Sequence, residues 1–305
     1  MKIVQYRKIF FAISAILIGL SLASIFAFGF NFGIDFKGGT LTEIRFEGGR
    51  PDKAALEEGV SVLGLGNFSV RPSGEENYVV RTRELSPEEA RLLVEAIGAS
   101  SVERQNTVGP VAGSELRDKA FKAISLATIL IVLFITYAFR RVSKSTLVQA
   151  GTRVPSWKYG LATVVALLHD IIIPVGIFVV LGHFHGFEID LLFVSGLLAI
   201  LGYSVHDSIV VFDRVRENLR LNDEAKTIEP FETTVGRSIT QTLVRSINTS
   251  LTLIITLLAL YFVGSGATKD FALLLSIGVI VGAYSSICVG SPLLVTLQKL
   301  QKVSK

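Results

Sequence analysis

Six long runs of apolar residues divide the chain, and each is long enough to cross a membrane as a helix. A helix needs about 20 predominantly apolar residues to span the hydrocarbon layer, which is roughly 30 Å thick. The runs lie at about residues 9–28, 121–139, 160–181, 191–212, 239–262 and 271–297. The pattern predicts a polytopic α-helical membrane protein with six transmembrane helices.

The first apolar run also has features of a cleaved signal peptide. Basic residues precede it, and Ala27 and Gly29 have the small-x-small spacing of a cleavage site. Its apolar core exceeds the usual length of about 7 to 15 residues. We therefore expect residues 1–28 to form a cytoplasmic N-terminus and a retained first membrane helix.

Basic residues set the predicted orientation, because cytoplasmic loops carry an excess of Lys and Arg. The connection between the second and third runs holds only basic charges: Arg140, Arg141, Lys144, Arg153 and Lys158. This loop and both termini are predicted to be cytoplasmic. Residues 29–118 would then lie outside, and residues 119–305 would form the other five helices and the C-terminal tail.

Residues 29–118 have the pattern of a separate small domain. Strand patterns at 40–46, 69–72, 78–82 and 101–108 alternate with helical patterns at 53–63 and 87–97. The order βαββαβ is typical of a ferredoxin-like fold. We expect a small α+β ferredoxin-like extracytoplasmic domain between helices 1 and 2, in which the helices containing Leu56 and Leu92 cover one face of the sheet. The predicted buried strand residues are Ile44, Phe46, Val79 and Val102.

Composition agrees with a membrane protein and disfavours other classes. The chain is 50% hydrophobic and 18% charged, and its mean hydropathy is +0.54, which leaves too few charges to cover a soluble surface. Its net charge of +4 arises beside apolar runs, so we expect no nucleic acid partner. The single cysteine excludes an internal disulfide.

Asp207 is the most informative polar residue because it lies inside the fourth apolar run, directly after His206. A carboxylate at the centre of a membrane helix costs roughly 2.5 to 3.5 kcal/mol, so such residues usually face the bundle interior and mark an ion or proton path. Arg245 lies at a matching depth in the fifth run. Asp207 and Arg245 are predicted to form an ion pair on this path, although Arg245 could instead extend to the cytoplasmic interface.

The fifth run carries polar residues at three- and four-residue steps, which places them on one side of a helix. This polar stripe is predicted to face neighbouring helices while leucine and isoleucine face lipid. Its members are Gln241, Thr242, Arg245, Asn248, Thr249, Thr252 and Thr256.

A second ionisable pair, His169 and Asp170, lies halfway along the third run and is predicted to belong to the same pathway. Alternatively, His169 and His206 could serve only as interhelical hydrogen-bonding groups, and Asp207 could simply lock helices together. Gly278 and Gly282 form a Gly-x-x-x-Gly motif in the sixth run. This motif predicts close helix packing without a chemical role.

Motifs of common enzyme classes are missing from the sequence. It contains no Gly-x-x-x-x-Gly-Lys-[Ser/Thr] nucleotide loop and no His-Glu-x-x-His motif, and His183 with His185 would supply only two metal ligands. We therefore expect no enzymatic activity, no cofactor and no resident metal. The energy for work would come from a transmembrane ion gradient.

Several motifs, taken in order, resemble the SecF family, the smaller subunit of the bacterial SecDF protein-export accessory complex in the resistance-nodulation-division superfamily. The position before Asp207 is commonly Asn in that family, whereas this chain has His206. The motifs occupy residues 31–40, 108–111, 169–170, 202–217, 241–245 and 284–286.

The resemblance implies a subunit of the Sec protein translocase that pairs with SecD and associates with the SecYEG channel. Such a subunit would couple proton or sodium flow to the outward movement of unfolded exported polypeptide, with Asp207 and Arg245 on the ion path. Its location would be the bacterial cytoplasmic (inner) membrane, with lipid around the helices and both termini inside. The alternative is a half-transporter of the same superfamily that exports small molecules, for which the outer domain is small.

Overall fold

A computed structural model describes residues 2–140, 155–264 and 266–303. Within these ranges, six helical segments are long and apolar enough to cross a membrane, which confirms the predicted number. A short helix α1 (Lys2–Gln5) precedes them. The spans are α2 (Arg7–Phe28), α6 (Pro110–Ala138), α7 (Ser156–His185), α8 (Leu191–Glu224), α9 (Phe231–Val263) and a sixth, Gly266–Leu300.

The sixth span is not one regular α-helix. It consists of α10 (Gly266–Ser285), a π-helical segment (Ser286–Gly290) and α11 (Ser291–Val303). Single π-type turns inside α-helices often occur at functional sites, because they turn side chains away from the regular register. This irregularity has no counterpart in the apolar pattern of the sequence.

Three spans form the centre of the bundle and three lie at its edge. Half or more of the most apolar window is buried in α7, α8 and the sixth span, whereas less than a fifth is buried in α2, α6 and α9. The outer three spans therefore present most of their side chains to lipid or to another protein.

Most of the predicted cytoplasmic loop lies outside the described residues, including Arg141, Lys144 and Arg153. Lys158 is described, and it is buried in the first turn of α7. Its Nζ donates hydrogen bonds to the Leu297 carbonyl and to Gln298 Oε1, both at 2.9 Å. Lys158 thus joins α7 to α11 and is not the solvent-facing loop charge that we predicted.

Between α2 and α6 the chain forms a small α+β domain in the predicted element order. Its four strands pair antiparallel in the order β2-β3-β1-β4. The elements are α3 (Ile34–Lys37), β1 (Gly39–Arg45), α4 (Lys53–Val62), β2 (Ser69–Ser73), β3 (Asn77–Thr82), α5 (Pro87–Ala96) and β4 (Ser101–Val108).

The core of this outer domain differs in part from the prediction. Ile44, Phe46 and Leu56 are buried together, as expected. Val102, which was predicted to be buried, is 40% exposed because β4 is an edge strand, and α5 contributes Ala90 and Leu93 to the core. Val79 is buried outside this core cluster, since strand alternation places it on the sheet face opposite its neighbours Tyr78 and Val80.

Two consecutive glycines, Gly38 and Gly39, connect α3 to β1 with positive φ angles of 81° and 129°. A Cβ at Gly38 would come within 2.9 Å of Pro110, and one at Gly39 within 2.5 Å of the Thr82 carbonyl. Only glycine has both the conformational freedom and the small size for this crossing. The glycine pair therefore lets the outer domain lie close to the start of α6.

Candidate ion pathway within the membrane helices

Asp170 lies at the centre of the bundle and has hydrogen-bond partners on both carboxylate oxygens. Its side chain is fully buried. Oδ1 lies 2.8 Å from His169 Nδ1, while Oδ2 accepts hydrogen bonds from Ser285 Oγ at 2.7 Å and from Ser204 Oγ. One carboxylate thus joins α7, α8 and α10.

His169 extends this network toward α2. Its ring stacks on Tyr284, with centroids 5.9 Å apart. The Tyr284 hydroxyl donates to the Phe10 carbonyl at 2.9 Å and lies 3.2 Å from Ser14 Oγ. His169 Nε2 is buried and has no hydrogen-bond partner within the described ranges, which leaves one imidazole nitrogen free.

Gly278 and Gly282 lie where α10 meets α8. A Cβ at Gly278 would come within 2.2 Å of Ile200, and one at Gly282 would lie 3.2 Å from the Ser204 Cβ. Glycine at these positions therefore allows a close approach of the two helices, which brings Ser204 and Ser285 to the same carboxylate. The motif has the packing geometry that we expect of small-x-x-x-small pairs.

Asp207 lies one turn beyond Ser204 on α8, and its surroundings differ from those of Asp170. It is only 2% exposed, yet its Oδ2 has no hydrogen-bond partner in the described part of the chain. Ser246 Oγ on α9 is also buried and lies beside this carboxylate, but no hydrogen bond of regular geometry joins it to any described residue. Such unpaired buried polar atoms are uncommon and point to a functional role.

Asp207 and Ser246 lie at the same depth, as flanking contacts show. Tyr203 OH donates to Ser250 Oγ at 2.9 Å on one side, and Asn218 Nδ2 donates to Ser238 Oγ at 2.8 Å on the other. Because α8 and α9 run antiparallel, these pairs place the Asp207 turn opposite the turn of Ser246. The predicted equal depth of Asp207 and Arg245 agrees with this register.

The predicted Asp207–Arg245 ion pair is not formed among the described residues. The side chains of Arg245 and His206 are exposed on the surface of the helix bundle, whereas the side chain of Asp207 is buried inside it. Arg245 and His206 lie close enough to Asp207 for electrostatic interaction without a direct bond. Consecutive residues on a helix point in different directions. Equal depth in the membrane therefore did not bring Arg245 into contact with Asp207.

The polar stripe of α9 faces mostly away from the rest of the chain, contrary to our prediction. Only Thr242 among its members is buried, and Gln241, Arg245, Asn248, Thr249, Thr252 and Thr256 are exposed. Small hydroxyl residues that the sequence reasoning missed face α8 and the interior instead. They are Ser238, Ser246 and Ser250. Their separations of eight and four residues place them on one face of the helix, and this spacing is the signal that could have revealed them.

No group of three potential metal ligands occurs in the described ranges. His183 stacks on Phe28 with ring centroids 4.3 Å apart, so it packs against α2.

These features define a polytopic membrane protein with buried carboxylates between its helices and a small α+β domain inserted after the first span. The family model described as "Protein export membrane protein SecD/SecF, C-terminal" matches residues 90–152 and 154–300, and the "SecD/SecF GG Motif" model matches residues 23–49. The chain belongs to the SecD/SecF family of protein export membrane proteins.

Individual relatives agree with this assignment. Protein translocase subunit SecF of Thermobaculum terrenum is 40% identical over 96% of this chain and 93% of its own length. The corresponding subunit of Sebaldella termitidis is 34% identical over 100% of this chain and 94% of its own.

A fused relative is much longer. Protein translocase subunit SecDF of Thermus thermophilus is 34% identical over 96% of this chain but only 38% of its own length. The crystal structure of SecDF from that organism superposes with a TM-score of 0.83 at 34% identity, covering 98% of this chain and 39% of that one.

Proposed function

We propose that this protein is a non-enzymatic accessory subunit of the Sec protein translocase. It couples proton or sodium flow to the export of unfolded polypeptide across the bacterial cytoplasmic membrane, together with SecD and the SecYEG channel. Relatives named as translocase subunits over nearly their whole length support the export role. The coupling mechanism rests on the geometry of the buried carboxylates.

The observation that carries the coupling proposal is the buried carboxylate of Asp207, whose Oδ2 has no hydrogen-bond partner among the described residues. An ionisable group at this position is costly, and its Oδ2 lacks the hydrogen bond that would fix it in one state. Along α8 it lies one turn from Ser204, which donates to Asp170 on the neighbouring helix α7, so the two carboxylates lie about one helical turn apart in depth. A cation that enters from the polar side of α9 would meet Asp207 first.

The exposed polar stripe of α9 supports a second membrane subunit. Arg245 and Asn248 would meet lipid directly if the chain were alone, and polar groups in hydrocarbon are costly. This chain matches only 38% of the length of the relative named SecDF. We infer that SecD covers this stripe and brings Arg245 and His206 into a closed pathway.

The outer domain is inferred to be ferredoxin-like and extracytoplasmic, with both chain termini in the cytoplasm. Its element order and antiparallel sheet support the fold, and the basic connection between α6 and α7 supports the orientation. Cysteine labelling in intact cells tests this, with Cys288 replaced by serine. An impermeant thiol reagent should modify Ser100→Cys and spare Ala225→Cys, both of which are exposed; the reverse pattern would contradict the topology.

Reconstituted vesicles that contain this protein with SecD and SecYEG test the coupling. Asp207→Asn keeps the side-chain shape and removes its charge, so it should insert and copurify with SecD but lose gradient-dependent stimulation of export. Asp213→Asn is the matched control, because Asp213 lies on the same helix and is exposed beside Arg216. Full gradient-dependent export with Asp207→Asn at normal expression would refute the role of Asp207.

The half-transporter alternative is tested by partners and cargo. A translocase subunit should copurify with SecD and SecYEG in mild detergent, and an ion gradient imposed across vesicles that contain it should drive polypeptide export. Recovery without either partner, combined with gradient-dependent release of small molecules from vesicles, would favour the alternative.

A further inference from the structure

The outer domain rests on the outer ends of the membrane helices through two arginines of its sheet. Arg71 on β2 makes a bidentate ion pair with Asp270 on α10, at 2.7 and 2.9 Å. Its guanidinium also lies 4.1 Å from the ring centroid of Phe187. Arg81 on β3 lies beside Glu188, in the connection between α7 and α8.

The Glu188 connection is bound on its other side by the segment that follows α2. Gly33 N donates to the Ile189 carbonyl at 2.9 Å, and Ile189 N donates to the Asn31 carbonyl at 2.8 Å. A Cβ at Gly33 would come within 2.9 Å of Glu188 Oε2. The carboxylate is therefore enclosed between β3 of the outer domain and the exit from α2.

The Arg81–Glu188 contact compensates only in part for this enclosure. The two side chains are 16% and 11% exposed, and Arg81 Nε lies 2.8 Å from Glu188 Oε2. The Arg81 N–H lacks hydrogen-bond geometry toward that oxygen. A buried ion pair with imperfect geometry does not recover the cost of removing both charges from water.

We propose that Glu188 is a proton-binding site that links docking of the outer domain onto the membrane helices to proton uptake. The site is separate from Asp170 and Asp207. This proposal rests on the proposed function in one respect only, namely that the proton comes from the outer side of the membrane.

The surrounding charges give the direction of the linkage. Burial is the main cause that raises the pKa of Glu188 to about 7, and the nearby Asp190 carboxylate acts in the same direction. Arg81, Arg71 and Lys37 oppose this increase. The pKa of Asp190 is also raised, chiefly by burial, so Glu188 has beside it a second carboxyl group in an enclosed setting.

The sign follows from comparing the docked and separated states. On separation Glu188 returns to water and to its ordinary pKa of 4.5, so the docked state holds the proton more tightly. This contribution to docking is complete below about pH 4.5 and is lost as the pH rises through about 7. Full return of Glu188 to water sets the upper bound, so between about pH 5.5 and 8.5 the docking equilibrium should weaken by up to roughly thirtyfold.

Pulsed electron–electron resonance on the full chain in lipid nanodiscs measures this equilibrium. One spin label replaces Ala96, on the outer domain, and the other replaces Val263, at the outer end of α9; both positions are exposed. Cys288 is replaced by serine. The wild-type distance distribution should be narrow at pH 5.5 and gain a second, broader population at pH 8.5.

Three variants make the test specific. Glu188→Gln should stay docked at both pH values, because it resembles the protonated acid. Asp270→Asn removes the other ion pair and should weaken docking at both pH values while keeping the pH response. Glu89→Gln breaks an ion pair with Arg83 elsewhere in the outer domain and should behave as wild type.

Two results would overturn the proposal. One is a distance distribution that does not change with pH in either the wild type or Asp270→Asn. The other is an undiminished pH response in Glu188→Gln. Neither readout involves export, so failure here leaves the Asp207 proposal standing, and loss of the Asp207 role in vesicles leaves this linkage standing.

Discussion

Asp170 and Asp207 are both buried carboxylates in the membrane, but their surroundings differ in one decisive respect. Asp170 is hydrogen-bonded to Ser204 and Ser285 and contacts His169, whereas Asp207 Oδ2 has no such partner in the described part of the chain. A carboxylate with all its partners in place holds helices together. One without them remains free to exchange protons or bind a cation.

The two aspartates differ because the chain supplies buried hydrogen-bond donors around Asp170 but not around Asp207 Oδ2 in its described part. The Asp170 partners come from helices that are buried within the chain and are brought together by the close approach at Gly282. Around Asp207 the nearest basic side chains, Arg245 and His206, lie on the outer surface. The first centre has its partners within the described residues, whereas the polar groups nearest the second lie on an exposed surface.

The largest expected effect comes from Asp170→Ala. It would leave two serine hydroxyls and His169 without their acceptor in a water-free interior, at a cost of roughly 2 to 4 kcal/mol of stability. Thermal unfolding in detergent measures this loss. Asp170→Asn keeps one acceptor oxygen and should lose about half as much, which separates hydrogen bonding from cavity formation.

The exposed Asp213→Asn variant serves as control and should stay within about 0.5 kcal/mol of wild type. Equal unfolding temperatures for Asp170→Ala and Asp213→Asn would show that the Asp170 network does not hold the helices together.

The second largest effect on stability is expected at Gly278, where α10 packs closely against α8. Gly278→Ala would place a methyl group 2.2 Å from Ile200, and such overpacking typically costs about 1 to 3 kcal/mol. The matched control is Gly202→Ala, because a Cβ at Gly202 has nothing within 4 Å. Its better helix propensity should leave stability unchanged or up to about 1 kcal/mol higher. Unfolding of the isolated chain checks both, and equal stability of the two variants would contradict the packing role of Gly278.

Sequence reasoning identified the features that repeat along the chain. Apolar length predicted the spans, and alternation with turn signals predicted the order of strands in the outer domain. The two buried aspartates were apparent because a carboxylate contrasts with its apolar neighbours. These signals are local, so they required no knowledge of the packing.

Features that depend on helix rotation and on contacts distant in sequence were not predictable. The inward direction of Asp207 and the outward direction of Arg245 depend on how α8 and α9 pack. The π-helical segment after Ser285 and the pairing of Arg81 with Glu188 also require the assembled structure. The outward direction of the polar stripe of α9 likewise follows from the packing of α9 against α8.

A smaller effect is expected for Asp207→Asn on stability. Removing a buried charge whose Oδ2 has no hydrogen-bond partner among the described residues eliminates its desolvation cost, so the isolated chain should be unchanged or up to about 1 kcal/mol more stable. Thermal unfolding beside Asp170→Asn gives the direct comparison. If Asp207→Asn destabilised the chain as strongly as Asp170→Asn, Asp207 would be a structural anchor.

The smallest stability effect is expected for Arg245→Lys, because Arg245 is exposed in the isolated chain. Lysine keeps the positive charge but loses the planar guanidinium that forms two parallel hydrogen bonds with a carboxylate. Unfolding of the chain alone should therefore match wild type, while gradient-driven export in the assembled complex should fall to a value between wild type and Asp207→Asn. Asn248→Ala, on the same exposed stripe, removes no charge and should reduce export less. Wild-type export with Arg245→Lys would show that only the charge of Arg245 matters, and an unchanged rate with Arg245→Ala would remove it from the pathway altogether.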